Sequence, residues 1–265
     1  MPPEVEIGHP ELGDRFVAVL GTPDWPLAAD LFSDGLDAAL EAVGAARGTD
    51  SAAVAGALLF EQYAQRLVAP VLAALYRDSA VLDARLPAVR TRLDHGFLRH
   101  LAFATAPAPG PADVAAVRTG LIDENLEPAA EAVHTRTRVG RRVLQGSIAN
   151  AVASSLLHMS WPDPDRARYV PAAHEFLSGR PDLATLVTVE AVERAGEPWM
   201  YTDRAACCLA FRTTVNQERE QPYCGTCPVL PDTTTRALFA QATAAYAARH
   251  KSWGRSRRST AAPRR

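Results

Sequence analysis

All four cysteines of the chain fall within twenty-one residues: Cys207 and Cys208 are adjacent, and after a spacer of fifteen residues come Cys224 and Cys227. A chain that gathers every thiol near one end is building a local site there, so the body must be held by an ordinary core. With 48% hydrophobic residues over 265 positions, such a core is available. Three chemistries can use four clustered thiols. Disulfides belong mainly to small secreted domains in an oxidising compartment. Here Met1 to Asp14 carries Glu4, Glu6, Glu11 and Asp14, and lacks the basic segment and apolar run of a secretory leader. Structural zinc suits Cys224-Gly225-Thr226-Cys227, but zinc knuckles usually space their thiolates, and Cys207 and Cys208 touch in sequence. A [2Fe-2S] cluster spreads four thiolates over two irons and accepts a broader footprint. Adjacent cysteines in extended chain point to opposite sides, which is easier to arrange around two irons than around one small ion. Such a cluster is an anion that gains a further negative charge on reduction. Arg204 and Arg212, bracketing the pair, are candidates to favour the reduced form, with a solvated surface role as the alternative for each.

The remainder reads as mainly α with a small β component, an α+β chain whose helical body carries the cysteine-rich segment at its C-terminal end. Residues 1–24 are punctuated by proline and glycine and read as irregular, with a short apolar piece at Phe16 to Leu20. Leu27, Leu31, Leu36 and Leu40 predict a helix over 26–44. Leu59, Tyr63, Leu67, Val71 and Leu75 recur every four residues and predict a core helix capped by Asp50 or Ser51 and running to about Arg77, kinked or divided at Pro70. Alternation through Leu86, Val89, Thr91 and Leu93, with Asp94-His95-Gly96 as turn, predicts a hairpin, and Pro107 to Pro111 a loop. Helices are expected over 112–124, 128–137 and 141–159, the last broken by Trp161-Pro162, and over 172–178 with Gly179 as a left-handed cap. Residues 183–192 read equally as strand or helix. Extended chain is expected over 200–211, and a helix from Asp232 or Thr233 through Tyr246 should close the cysteine region against the body. The domain reading is a body over 1–199, a site-bearing segment over 200–248 and a disordered basic tail over 249–265.

That tail holds Arg249, Lys251, Arg255, Arg257, Arg258, Arg264 and Arg265, so the formal charge of -2 conceals a distinctly acidic body. Overall charge does not point to nucleic acid, and a floppy basic end is most simply a solubilising or interaction tail. No apolar stretch is long enough to span a membrane, and a cytoplasmic location follows as the expectation. The seven histidines show no helical metal spacing, and Walker, nucleophile-elbow and dinucleotide fingerprints are all absent, so NADPH or flavin is not expected on this chain. Arg136, Arg138, Arg141 and Arg142 form the densest basic cluster outside the tail; they are either a solvated helix end or, for Arg138, Arg141 and Arg142 above all, a docking rim for an anionic chelate.

The run from Arg204 to Arg212 followed by Cys224-Gly225-Thr226-Cys227-Pro228 resembles the C-terminal [2Fe-2S] motif of FhuF-type ferric siderophore reductases. That motif is an adjacent cysteine pair, usually ten residues, then Cys-x-x-Cys; here the spacer is longer, with a polar stretch from Thr213 to Tyr223. Phe60 to Leu72 is similar to the family's N-terminal helix. Leu144 to Ala153 is similar to its central helix, with Gln145 where the family usually has tryptophan. The resemblance implies that Cys207, Cys208, Cys224 and Cys227 hold a [2Fe-2S] cluster. It further implies that the substrate is a ferric siderophore and that an external donor such as a ferredoxin supplies the electron. A non-catalytic iron-sulfur carrier or sensor, and a zinc-stabilised module whose tail contacts nucleic acid, are the competing readings.

Overall fold

The computed structural model describes residues 5–110 and 113–258, with side chains described through Arg249. The N-terminal stretch expected to be irregular forms two strands, β1 (Val5–Gly8) and β2 (Val17–Leu20), paired antiparallel. Strands this short, one of them largely exposed, leave little periodicity to read. The helix expected over 26–44 is two helices, α1 (Ala28–Leu31) and α2 (Leu36–Arg47). The break falls at Ser33-Asp34-Gly35, where the Ser33 hydroxyl donates to the Ala29 carbonyl (2.8 Å); weak helix formers with local bonds of their own favour the turn.

The central helix α3 (Ala52–Arg77) starts where expected, with the Ser51 hydroxyl accepting the Val54 N–H (3.4 Å). Leu59, Tyr63, Leu67 and Val71 are all buried in the main core. Of the two outcomes expected at Pro70, a kink or a division, the second does not occur: α3 is continuous, buried residues surround that turn, and packing holds the helix through the lost backbone bond.

After β3 (Ala80–Val81) the expected hairpin forms from β4 (Val89–Asp94) and β5 (Phe97–Phe103). Its two-residue turn puts His95 and Gly96 at φ 47° and 79°, as tight hairpins require. β5 also pairs in parallel with β2, giving a four-stranded sheet of order β1-β2-β5-β4. The Pro107–Pro111 loop is partly a strand, β6 (Ala108–Pro109), laddered on β3; Pro111 and Ala112 lie outside the described residues.

Helices α4 (Val114–Arg118) and α5 (Glu127–Thr137) are not separate elements as expected, since a π-helical stretch over Thr119–Leu126 joins them. Buried Asn125 marks that stretch, accepting from the Tyr63 hydroxyl (2.8 Å) and donating to the Ala84 carbonyl (2.6 Å). Widening the turn satisfies these long-range bonds, which sequence spacing does not reveal. Helix α6 (Arg141–Ser160) packs along α3, its Ala149, Ala151 and Ala153 fully buried. It ends before Trp161, as expected.

Helix α7 (Tyr169–Ser178) begins a few residues earlier than expected, and Gly179 has φ -73°, so it is not a left-handed cap. After α8 (Pro181–Ala184), residues 183–192 prove to be mostly strand: β7 (Val187–Arg194) pairs with β8 (Glu197–Arg204) over their whole length. The extended chain expected to reach Phe211 stops at Arg204. Beyond it come a 3₁₀ turn at Ala210–Arg212, the short helix α9 (Thr214–Gln217), and the long helix α10 (Asp232–Arg258). Helix α10 closes on the hairpin, Phe239 against Tyr201 (5.1 Å between centroids) and Tyr246 against Trp161 (5.1 Å). Its backbone continues through part of the basic tail, while residues 259–265 of that tail lie outside the described residues. Mainly helical with a minor sheet component, the chain is α+β as expected. Among the described residues no helix is long and apolar enough to cross a membrane.

Candidate functional site: a thiol-walled cavity

Strand β8 delivers the first cysteine pair. At its end the Arg204 side chain, 3% exposed, meets Glu61 of α3 with two contacts of 3.2 Å and donates through Nε to the Ala206 carbonyl (2.7 Å). The next turn sits directly on α6: a Cβ at Gly146 would fall 2.4 Å from the Ala206 Cβ, so only glycine admits this approach. Leu209, at φ 65°, turns the chain after Cys208. Thus the cysteine pair lies between two bends, beyond the strand, and not in the extended chain expected, and the two sulfurs interact with one another instead of pointing apart.

The second pair lies on consecutive turns, the Cys227 N–H bonding the Cys224 carbonyl (3.0 Å) and the Leu230 N–H the Cys227 carbonyl (2.9 Å). Between the pairs, the long spacer is anchored and not a free loop. Thr214 donates through both its N–H (3.2 Å) and its hydroxyl (3.0 Å) to the carbonyl of Gly48, just past the end of α2.

All four cysteines line one cavity of about 290 Å³. Leu58, Glu61 and Gln62 of α3 form one wall, and Phe211, Tyr223, Arg47 and Arg219 contribute to the others. The thiols are free; Cys208 and Cys227 are buried, Cys207 half-buried and Cys224 exposed. The hydrogen bond with Cys208 holds the Cys207 thiol below its usual range and pushes that of Cys208 up, with burial adding to the latter. Burial raises Cys224 and Cys227 too; for Cys224 this means that the sulfur turns inward although the residue as a whole is exposed.

Against these terms, each sulfur has a backbone amide two residues on that favours its thiolate: Leu209 for Cys207 (3.3 Å), Ala210 for Cys208, Thr226 for Cys224 and Val229 for Cys227. Four thiols each flanked by an N–H donor fit a thiolate-bound metal group, since such bonds steady the sulfur charge. As they stand, no three of the described histidine, cysteine, aspartate and glutamate side chains form a group that could hold a metal ion.

Of the arginines singled out in the sequence, Arg204 lies beside this space but is buried and paired with Glu61, a structural tie as much as a neighbouring charge. Arg212 is exposed, stacked on Phe211 at 5.8 Å. The basic cluster is dispersed. Arg136 bonds Asp37 (2.8 Å), Arg141 bonds Glu131 (2.9 Å), and exposed Arg138 caps α5; Arg142 alone reaches towards the cysteine segment, at the Ala205 carbonyl (3.5 Å). Sequence reasoning missed Arg47, Glu61 and Arg219. Arg47 is pushed below its usual range by burial and by Arg219, with Cys208 acting the other way, so Arg47, Arg219 and Cys208 share one neighbourhood. Only tertiary structure brings these positions together, and no local spacing signals it.

A cavity walled by four thiols is a setting for metal-thiolate chemistry. Residues 57–183, just under half of the chain, match the model of the FhuF family, described as ferric iron reductase FhuF-like transporter. The matched span contains most of α3, including the wall residues Leu58, Glu61 and Gln62, and all of α6, and it ends before the cysteines. No curated protein matches the chain.

Proposed function

We propose that the chain is a one-electron reductase of ferric siderophores, with Cys207, Cys208, Cys224 and Cys227 as ligands of a [2Fe-2S] cluster. The observation that carries this reading is the convergence of all four thiols, each with its own amide donor, on one cavity in a chain whose residues 57–183 match the FhuF family model. When bound, such a cluster supplies storage of one electron at a time. The chain's own residues provide the setting. The Glu61–Arg204 pair and the Gly146–Ala206 contact fix the first cysteine turn on α3 and α6. The clip from Thr214 to Gly48 fixes the spacer, and Leu58 contributes an apolar side chain to the cavity wall. Exposed Cys224 marks the open side, where substrate and donor have access.

In the reaction, one electron passes from an external one-electron donor of the ferredoxin class to chelated Fe(III). Hard anionic oxygens hold the resulting Fe(II) far less tightly, and the metal is released. No side chain need act as nucleophile or general base. On this reading residues 200–248 form the site-bearing segment on a body of residues 1–199, and the protein works in the cytoplasm, where thiols stay reduced and the cluster can be assembled.

Purified protein should be red-brown, with about two irons and two sulfides per chain. Serine at any one of the four cysteines should bleach it or shift its spectrum. Under anaerobic conditions, reoxidation of the reduced protein by ferric chelates should match the Fe(II) formed, mole for mole. A colourless zinc protein, or reoxidation with no ferrous iron, defeats the proposal.

A further inference from the structure

We propose that Arg47 and Arg219 form an anion-docking rim at the mouth of the thiol cavity and that, together with Phe211 and Tyr223, they select ferric chelates of the catecholate class, which carry net negative charge and aromatic rings. The inference rests on the reductase reading above and adds to it the substrate class.

Both arginines line the cavity with the cysteines. Neither forms an ion pair among the described residues. The Arg47 Nε is buried without a hydrogen-bond partner. The carboxylate in the same wall, Glu61, is already engaged by Arg204 and by the Asn150 amide (3.2 Å). Two cations held in one neighbourhood, neither with an ion pair among the described residues, repel each other, and an anion docked at the cavity mouth relieves that repulsion.

Their positions are fixed. The Arg47 guanidinium lies over the Phe97 ring, 4.6 Å from its centroid, and the adjacent Gly48 carbonyl is held by Thr214. Arg219 follows α9, its N–H bonded to the Asn216 carbonyl (3.1 Å). The spacer that carries Arg219 therefore also clips itself to the residue next to Arg47.

Phe211 and Tyr223 line the same cavity, their centroids 5.6 Å apart and their planes at 40°. Such a tilted pair offers a face or an edge to an aryl ring, and an aromatic chelate gains from it what an aliphatic one does not. At about 290 Å³ the cavity falls short of the volume that encloses a drug-sized ligand, so a chelate docks at its mouth. A neutral hydroxamate chelate satisfies neither the charge nor the rings.

Gallium(III) chelates separate docking from electron transfer, because gallium is not reduced. Titrating the purified full chain with gallium tris-catecholate and with a neutral gallium tris-hydroxamate, by calorimetry, should show tighter binding of the former. Arg219→Gln, at an exposed site, should weaken catecholate binding about tenfold, and Arg47→Gln/Arg219→Gln further, with Arg47→Lys retaining part of the affinity. Catecholate affinity of the wild type should fall with salt, and less steeply in the double variant.

Equal binding of the two chelates overturns the proposal. So does wild-type catecholate affinity in the double variant with a shifted midpoint potential, which would assign the arginines to cluster charge alone. Iron and sulfide content of the same preparations tests the reductase reading separately: a chain without them refutes that reading, while the gallium titration still decides the rim.

Discussion

Replacing Glu61 by alanine removes the one carboxylate that, among the described residues, pairs with the buried Arg204 guanidinium. Arg204 is 3% exposed and Glu61 16%, and two 3.2 Å contacts join them across 143 positions of chain. Removing one partner of a buried ion pair typically costs about 3–5 kcal/mol, because the other charge stays buried. The bond from Arg204 Nε to the Ala206 carbonyl survives, and Glu61 is partly wet, so the lower end, about 3 kcal/mol, applies. For a chain of this size that corresponds to a fall in melting temperature of about 6–12 °C. Thermal unfolding followed by circular dichroism measures it. Glu61→Leu/Arg204→Met, which removes both charges and keeps the volume, should recover most of the loss. If Glu61→Ala melts within about 2 °C of the wild type, or the double variant melts lower still, the pair does not hold the cysteine turn and the reasoning fails.

Two further outcomes follow from the same structure. Gly146→Ala gains up to about 1 kcal/mol of helix propensity but drives a methyl into Ala206, an overpacking cost of about 1–3 kcal/mol. Net destabilisation with loss of colour, reversed by Ala206→Gly, is expected; a more stable, fully coloured variant would show that the close approach is not needed. His158 titrates at about 4, pushed down by burial and by the Arg15 guanidinium, while its Nδ1 bonds the Ser154 carbonyl (2.7 Å). The unfolded chain takes up this proton near the ordinary histidine value, so stability is lost as pH falls from about 6.5 towards 4. Because the residue as a whole keeps an exposed surface, the burial of its ring is incomplete and the effect modest, and His158→Gln should flatten that part of the urea-midpoint profile. An unchanged profile would remove His158 from the account.

What could be read from the sequence was what repeats locally. The four-residue spacing from Leu59 to Leu75 marks α3 because one face of that helix is buried throughout, and Asp94-His95-Gly96 marks the hairpin because few residues accept positive φ. The clustering of the cysteines pointed to the cavity they line. Bonds between distant residues escaped that reading. The π-helical stretch serves Asn125 and its partners Tyr63 and Ala84, and the breadth of that turn is set by those contacts. Arg204 looked like a charge near sulfur, and its partner Glu61 lies on a helix whose apolar pattern gives no reason to single out a carboxylate. Arg47 and Arg219 become neighbours only because Thr214 is fastened to Gly48.

The division of labour between α3 and the cysteine turns implies an order of assembly. Leu58, Glu61 and Gln62 emerge from the ribosome long before Cys207, on a helix already rooted in the main core, so a finished mould waits for the sulfurs. On the proposed cluster reading, iron supply then governs only the last step of biogenesis. Starved cells would accumulate a folded, empty scaffold ready for loading.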